Sequence, residues 1–111
     1  MDCAFCKIVN NEILADIVYE DDEVLAFNDI APQAPTHILA IPKQHVASIA
    51  DLEDVGVADK LLAALKKLAK EKALDESGYR IVVNHGKDGG QAVHHLHFHL
   101  LGGRQMQWPP G

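Results

Sequence analysis

The chain has 111 residues, a length that fits one domain spanning residues 1–111. With 48% hydrophobic and 23% charged residues it has the make-up of a globular chain, which excludes a disordered one. Lys and Arg number 10 against 16 Asp and Glu, a net charge of −6, and no basic block occurs, so a nucleic-acid polymer is not an expected partner.

The opening residues, MDCAFCKIVNN, carry charge at Asp2 and Lys7 and do not form a signal peptide. No apolar run approaches the roughly 18 residues of a membrane span, so the expectation is a cytoplasmic protein with no membrane partner. FCKIVNN reads as a short N-terminal helical turn. The apolar runs 16–20 and 23–29, parted by Asp21-Asp22, form a hairpin pattern. Prolines 32 and 35 make 31–35 irregular, and 36–43 reads as a third strand stopped by Pro42. Between 51 and 74 the period becomes helical: Leu61, Leu62, Leu65, Leu68 and Ala69 share a face, with Asp51 and Asp54 at the start and Gly78 beyond the end. Residues 79–86 and 93–101 read as fourth and fifth strands around the glycine-rich turn 87–90. The fold class expected is α+β, an antiparallel sheet of about five strands with one long helix and a short N-terminal helix.

Residues 94–99, HHLHFH, hold four of the seven histidines. Successive side chains of a strand point to opposite faces, so His95, His97 and His99 share one face while Leu96, Phe98 and Leu100 face the helix. His94 falls on the opposite face and is incidental. Three imidazoles in a row suit metal binding, nucleophilic catalysis or general acid–base work. Cys3 and Cys6 form one C-x-x-C pair, which in a chain with no export signal points to metal or redox chemistry before a structural disulfide. One pair cannot complete a tetrahedral site.

The run His95-Leu96-His97-Phe98-His99-Leu100-Leu101 resembles the signature of the histidine triad (HIT) family. VYEDDEVLAFNDIAPQAPTHILAIPKQH, GYRIVVNHG, DGGQAV and LGGRQMQWPPG are similar to its Hint branch, the purine nucleoside phosphoramidate hydrolases. The resemblance implies a HIT-like fold whose sheets pair in a homodimer. It implies that His97 attacks the α-phosphate to form a covalent nucleotidyl intermediate that water then hydrolyses. His99 would donate to a phosphate oxygen or to the leaving group, and His37 would back the triad from an adjacent strand. The turn through Gly90, Gln91 and Val93 would cradle phosphate charge, Gln91 reaching the phosphate or the leaving group. Asp29 would bind the ribose hydroxyls, with Asn84 near ribose and phosphate, and Ile30, Phe27 and Phe5 would line a slot for the purine.

Two positions depart from that branch. Ala92 stands where many members carry a serine near the leaving group. Cys3 and Cys6 are absent from the better-known Hint proteins, whereas bacterial and archaeal relatives join such a pair to histidines matching His45 and His95. The resemblance thus implies a structural zinc on Cys3, Cys6, His45 and His95, with no cofactor needed for the chemistry. Trp108, in the tail WPP, is expected to pack on something, and in related homodimers each tail reaches the partner's site. Dinucleoside polyphosphate hydrolysis and a nucleotide-binding regulatory module remain the competing functions.

Overall fold

The computed structural model describes residues 3–111. Helix α1 (Ala4–Val9) leads into strands β1 (Ile17–Glu20), β2 (Val24–Asn28) and β3 (Thr36–Pro42). A 3-10 turn at Ile49–Asp51, helix α2 (Gly56–Glu71) and the single turn α3 (Leu74–Ser77) follow, then β4 (Tyr79–Val83) and β5 (Phe98–Gly102). The five strands form one antiparallel sheet in the order β1-β2-β3-β5-β4, which bears out the α+β reading.

The β1–β2 hairpin is held at Asp21, whose Oδ1 accepts from the backbone N–H groups of Glu23 and Val24, both at 2.8 Å. Such an Asx turn satisfies two donors that a tight reversal leaves open. Alternation along β2 and β3 then divides the apolar residues between two faces. Val24, Ala26, Ile38 and Ala40 meet Leu61, Leu65 and Leu68 of α2, while Leu25, Phe27, Leu39 and Ile41 pack with Phe5 and Ile8 of α1. Helices cover both faces, so the two central hairpin strands are buried throughout almost their whole length.

The expected helix 51–74 is shorter and is bracketed by turns. Ser48 caps the 3-10 turn by accepting from Ala50 N–H, and Asp54 Oδ1 accepts from Gly56 N–H at 2.9 Å where α2 begins. At the far end Ala73 takes a left-handed conformation (φ 57°), which separates α2 from α3, and Gly78 (φ 103°) ends the helical region.

The fifth strand also differs from the expected 93–101. Ala40 lies opposite Phe98, so continuation would place Pro42 opposite Leu96, and proline has no N–H to give the ladder. Leu96 N–H is instead bonded to Val46 carbonyl at 2.7 Å. Residues 93–97 therefore stay outside the ladder, with a bend at 93–95, and β4 stops at Val83, opposite Phe98, instead of running to 86. The alternation survives: Leu96, Phe98 and Leu100 enter the α2 core, and His95 and His97 turn toward α1. Among the described residues no helix is long and apolar enough to cross a membrane.

Candidate active site and metal centre

The protonation pattern of the triad follows from fixed backbone partners. His97 Nδ1 lies 2.7 Å from the His95 carbonyl oxygen, which can only accept, so Nδ1 carries the proton and Nε2 keeps its lone pair. His95 Nε2 lies 2.8 Å from the Pro42 carbonyl, which can only accept, so Nε2 carries the proton and Nδ1 keeps the lone pair. In His37 the order reverses. Gln33 N–H donates to His37 Nδ1 at 3.0 Å, so the neutral ring holds its proton on Nε2 and donates it to His99 Nδ1 at 2.9 Å. His99 must then be protonated on Nε2. That atom is the one buried side-chain nitrogen or oxygen among the described residues without a hydrogen-bond partner, which makes it a donor held for something else.

This relay depends on neutral rings. Burial, and then the neighbouring His97 and His37, lower His99 to about 4 from an ordinary 6.5. Burial also lowers His37, opposed by Asp29, whose Oδ2 is 3.5 Å from His37 Nε2. The unfolded chain accordingly takes up protons before the folded one does. Stability is expected to be complete above pH 6.5 and to fall as pH drops from there toward 4. Thermal melts between pH 7.5 and 4.5, compared with a His99→Asn variant that keeps an acceptor near Nδ1 but cannot titrate there, check this. Equal acid sensitivity in the two proteins would refute the assignment.

The nitrogen lone pair on His95 points into a second cluster. Cys3 caps α1, accepting from Cys6 N–H, and the two thiols, His45 and His95 offer ligand atoms that all lie within 4.8 Å of one another. His95 Nδ1 is 3.4 Å from Cys3 Sγ, 3.6 Å from Cys6 Sγ and 3.2 Å from His45 Nδ1, and Cys6 Sγ is 3.4 Å from His45 Nδ1. Zinc–sulfur and zinc–nitrogen bonds of ~2.3 and ~2.0 Å give tetrahedral edges of about 3.3–3.8 Å, which these separations match. Burial first, and then Cys3, push the Cys6 thiol up, a penalty that a divalent cation between the sulfurs reverses. The Pro42 carbonyl supplies the outer hydrogen bond that orients a ligating imidazole. The residues fit a closed Cys2His2 site. Asp29, His37 and His99 also lie within 4.8 Å of one another, but there the Gln33 N–H puts a proton on the His37 nitrogen that would have to face a cation.

Other expected site residues fall in several places. Asp29 is half-buried, accepts from Ala31 N–H at 2.9 Å, and lines a cavity of about 290 Å³ with His37, Thr36 and Lys72. Asn84 and His99 line another of about 250 Å³ with Gln33, Arg80 and Arg104. Phe27 is core, edge-on to Phe5 with ring centres 5.5 Å apart, whereas Ile30 is 97% exposed and forms no part of a closed slot. Val93 packs half-buried against the α1 cluster.

Gln91 differs most from its expected role. Its Oε1 accepts from Gly86 N–H, and its Nε2 donates to the carbonyls of Ala47 and Val93 at 2.8 and 3.1 Å, so the amide braces the loop. The N–H groups of Gly90 and Gln91 are likewise spent within the turn, on Lys87 and Gly86 carbonyls, which leaves the 87–91 turn a rigid hairpin more than a cradle. Gly89 has no room for a side chain, since a Cβ there would lie 2.3 Å from the His85 carbonyl oxygen. Trp108 is 82% exposed. Its contact is Arg80, whose guanidinium lies 6.0 Å from the ring centre and donates to Gln107 carbonyl.

Two groups that sequence reasoning passes over matter here, Gln33 N–H and the Pro42 carbonyl, while Phe5, expected to line the purine slot, lies edge-on to His97 with ring centres 5.2 Å apart. The first two are backbone atoms brought in by the fold and carry no side-chain signal. Phe5 is flanked by the two cysteines, the one local hint of its place.

Comparison with known proteins gives the chain a family. The HIT domain model matches residues 10–106. A 14 kDa zinc-binding protein of Brassica juncea is 50% identical over 114 residues, covering 99% of this chain and 100% of that protein. A HIT family hydrolase from Legionella pneumophila superposes with a TM-score of 0.96 at 54% identity, covering 99% of this chain and 100% of that one. A histidine triad nucleotide-binding protein from Candida albicans gives 0.86 at 35% identity over 97% and 83% of the two chains. By the span of the domain match and by its full-length relatives, this chain belongs to the HIT domain family.

Proposed function

We propose that this chain hydrolyses purine nucleoside phosphoramidates, of the adenosine 5′-phosphoramidate and aminoacyl-nucleotide kind, to nucleoside monophosphate and amine. The observation that carries the reading is the His97 tautomer: Nδ1–H held by a backbone carbonyl, Nε2 basic, the state a nucleophilic imidazole needs. Nε2 attacks the α-phosphorus as the P–N bond breaks, and the leaving amine takes from solvent water the one proton that the hydrolytic water gives back in the second step. The nucleotidyl-imidazole is cationic, and the His95 carbonyl stabilises it by accepting the Nδ1–H. Water then attacks phosphorus, the phosphorus–His97 bond breaks and the monophosphate departs. His99 Nε2–H, buried and unpartnered, would donate to a phosphoryl oxygen as charge builds there. His37 holds that donor in register through the relay from Gln33.

Asp29 is assigned to the ribose hydroxyls, with Ile30 at the rim for the base. Zinc on Cys3, Cys6, His45 and His95 would be structural, tying α1 to the triad segment, and supplies no step of the chemistry. A homodimer belongs to the same reading. β4 is a sheet edge, and Tyr79, Ile81 and Val83 on its helix side stay partly exposed, an apolar strip that a second copy would cover. In such a dimer Trp108 would serve the partner's site. The Brassica relative is named for zinc binding and the Candida relative for nucleotide binding, and both names support this reading.

The test is release of AMP from adenosine 5′-phosphoramidate set against cleavage of diadenosine polyphosphates. Preference for the phosphoramidate is expected. Preference for the polyphosphates would move the activity to the other hydrolytic class, and tight AMP binding with no turnover would make the chain a regulatory module.

A further inference from the structure

Residues 95–97 carry the reactive ring, yet the regular ladder of β5 begins only at Phe98. What holds them comes from the cysteine–histidine cluster. His95 contributes its ring to that cluster and its own carbonyl to His97 Nδ1–H, at 2.7 Å. Phe5, between Cys3 and Cys6, meets His97 edge-on at 88° and His95 at 68°, with ring centres 5.2 and 5.9 Å away. His45 is followed by Val46, whose carbonyl accepts Leu96 N–H, so the histidine ligands of the two segments are tied one residue from each ligand. Helix α1 has six residues, too few to hold its place by its own hydrogen bonds. Its position comes from the packing of Phe5 and Ile8 under the sheet and from what grips Cys3 and Cys6.

We propose that a metal ion on Cys3, Cys6, His45 and His95 positions the nucleophile: occupancy sets the tautomer and orientation of His97 and so controls the chemical step. Phe5 is a positioning residue in this scheme, pressing on the His97 ring from the metal-held helix. The geometric part stands on the contacts above, and only the kinetic part rests on the hydrolase reading.

Zinc-loaded, metal-free and cadmium-substituted protein would be compared by long-range 1H–15N spectra of the His97 ring, with near-ultraviolet circular dichroism to follow the fold. In the loaded forms one tautomer with a protected Nδ1–H is expected. Metal removal should leave the fold in place but give a mixed, rapidly exchanging His97 ring. For adenosine 5′-phosphoramidate, kcat should fall about 10–100-fold, with KM changed less than about threefold, as loss of an outer-shell orienting contact typically does. Phe5→Leu should lower kcat at full metal content. A metal-free protein with unchanged His97 spectra and kcat would overturn the proposal, as would global loss of the fold, which would make the ion a support of the whole chain. If the His97 ring responds to metal while the loaded protein cleaves no phosphoramidate, the positioning holds and the hydrolase reading fails.

Discussion

Replacing His97 with alanine is expected to lower turnover of adenosine 5′-phosphoramidate by ~10⁴-fold or more, because the variant loses the proposed nucleophile. In the wild type, Nε2 of this ring is basic because Nδ1–H is committed to the His95 carbonyl. No neighbour can take over. His99 presents an N–H on its buried face, and the basic nitrogen of His95 faces the cysteines. Nucleotide affinity should change far less than rate, since Asp29, the carboxylate proposed for the ribose hydroxyls, and the proposed His99 donor remain. Rapid-quench labelling with radiolabelled substrate should show a nucleotidyl adduct in the wild type and none in His97→Ala. The control for removing an imidazole is His94→Ala, whose ring is exposed and lies outside both groups of potential ligands, and it should leave turnover unchanged. A His97→Ala rate within about tenfold of the wild type would end the covalent mechanism.

Leu65→Ala is expected to cost about 3 kcal/mol of stability and ~10–20 °C in Tm, the range for truncating a fully buried leucine in a chain of this size. Leu65 is 0% exposed in the middle of α2 and belongs to the core cluster that also contains Ile38, Leu96 and Leu100. Truncation leaves a cavity beneath β5, which carries His99 on its other face, and the close-packed sheet cannot collapse to fill it. Lys66→Ala, one residue along on the exposed face, should stay within about 0.5 kcal/mol. Thermal and urea unfolding check both, and a loss below about 1 kcal/mol for Leu65→Ala would mean that α2 is not the main cover of the sheet.

What is legible in the sequence is local. Leu61, Leu65 and Leu68 show their shared face through helical spacing alone, and the alternation from His95 to Leu100 separates the reactive face from the core face even where the ladder is missing. The C-x-x-C pair marks Cys3 and Cys6 for the same reason. What is not legible depends on register between distant segments. Nothing near Gln91 says that its amide will reach Ala47, and nothing near Leu96 says that Pro42 will stand opposite and stop the strand. The exposure of Ile30 is of the same kind, since a residue's surroundings in a loop are set by which segments pass it. The tautomers are the clearest case: each is dictated by a backbone atom whose partner is chosen by the fold.

The strand order has a consequence for how the protein comes to exist. β5 lies between β3 and β4 but is synthesised after both. Until residues 98–102 leave the ribosome, β4 has no partner and β3 presents an open edge, the kind of surface on which nascent chains associate wrongly. Insertion of that last strand joins Thr36 to Gly102 and Val83 to Phe98 at once, and it also brings His99 against His37. Closing the sheet and assembling the relay are therefore a single late event, so a chain caught before it has neither a finished fold nor a working site.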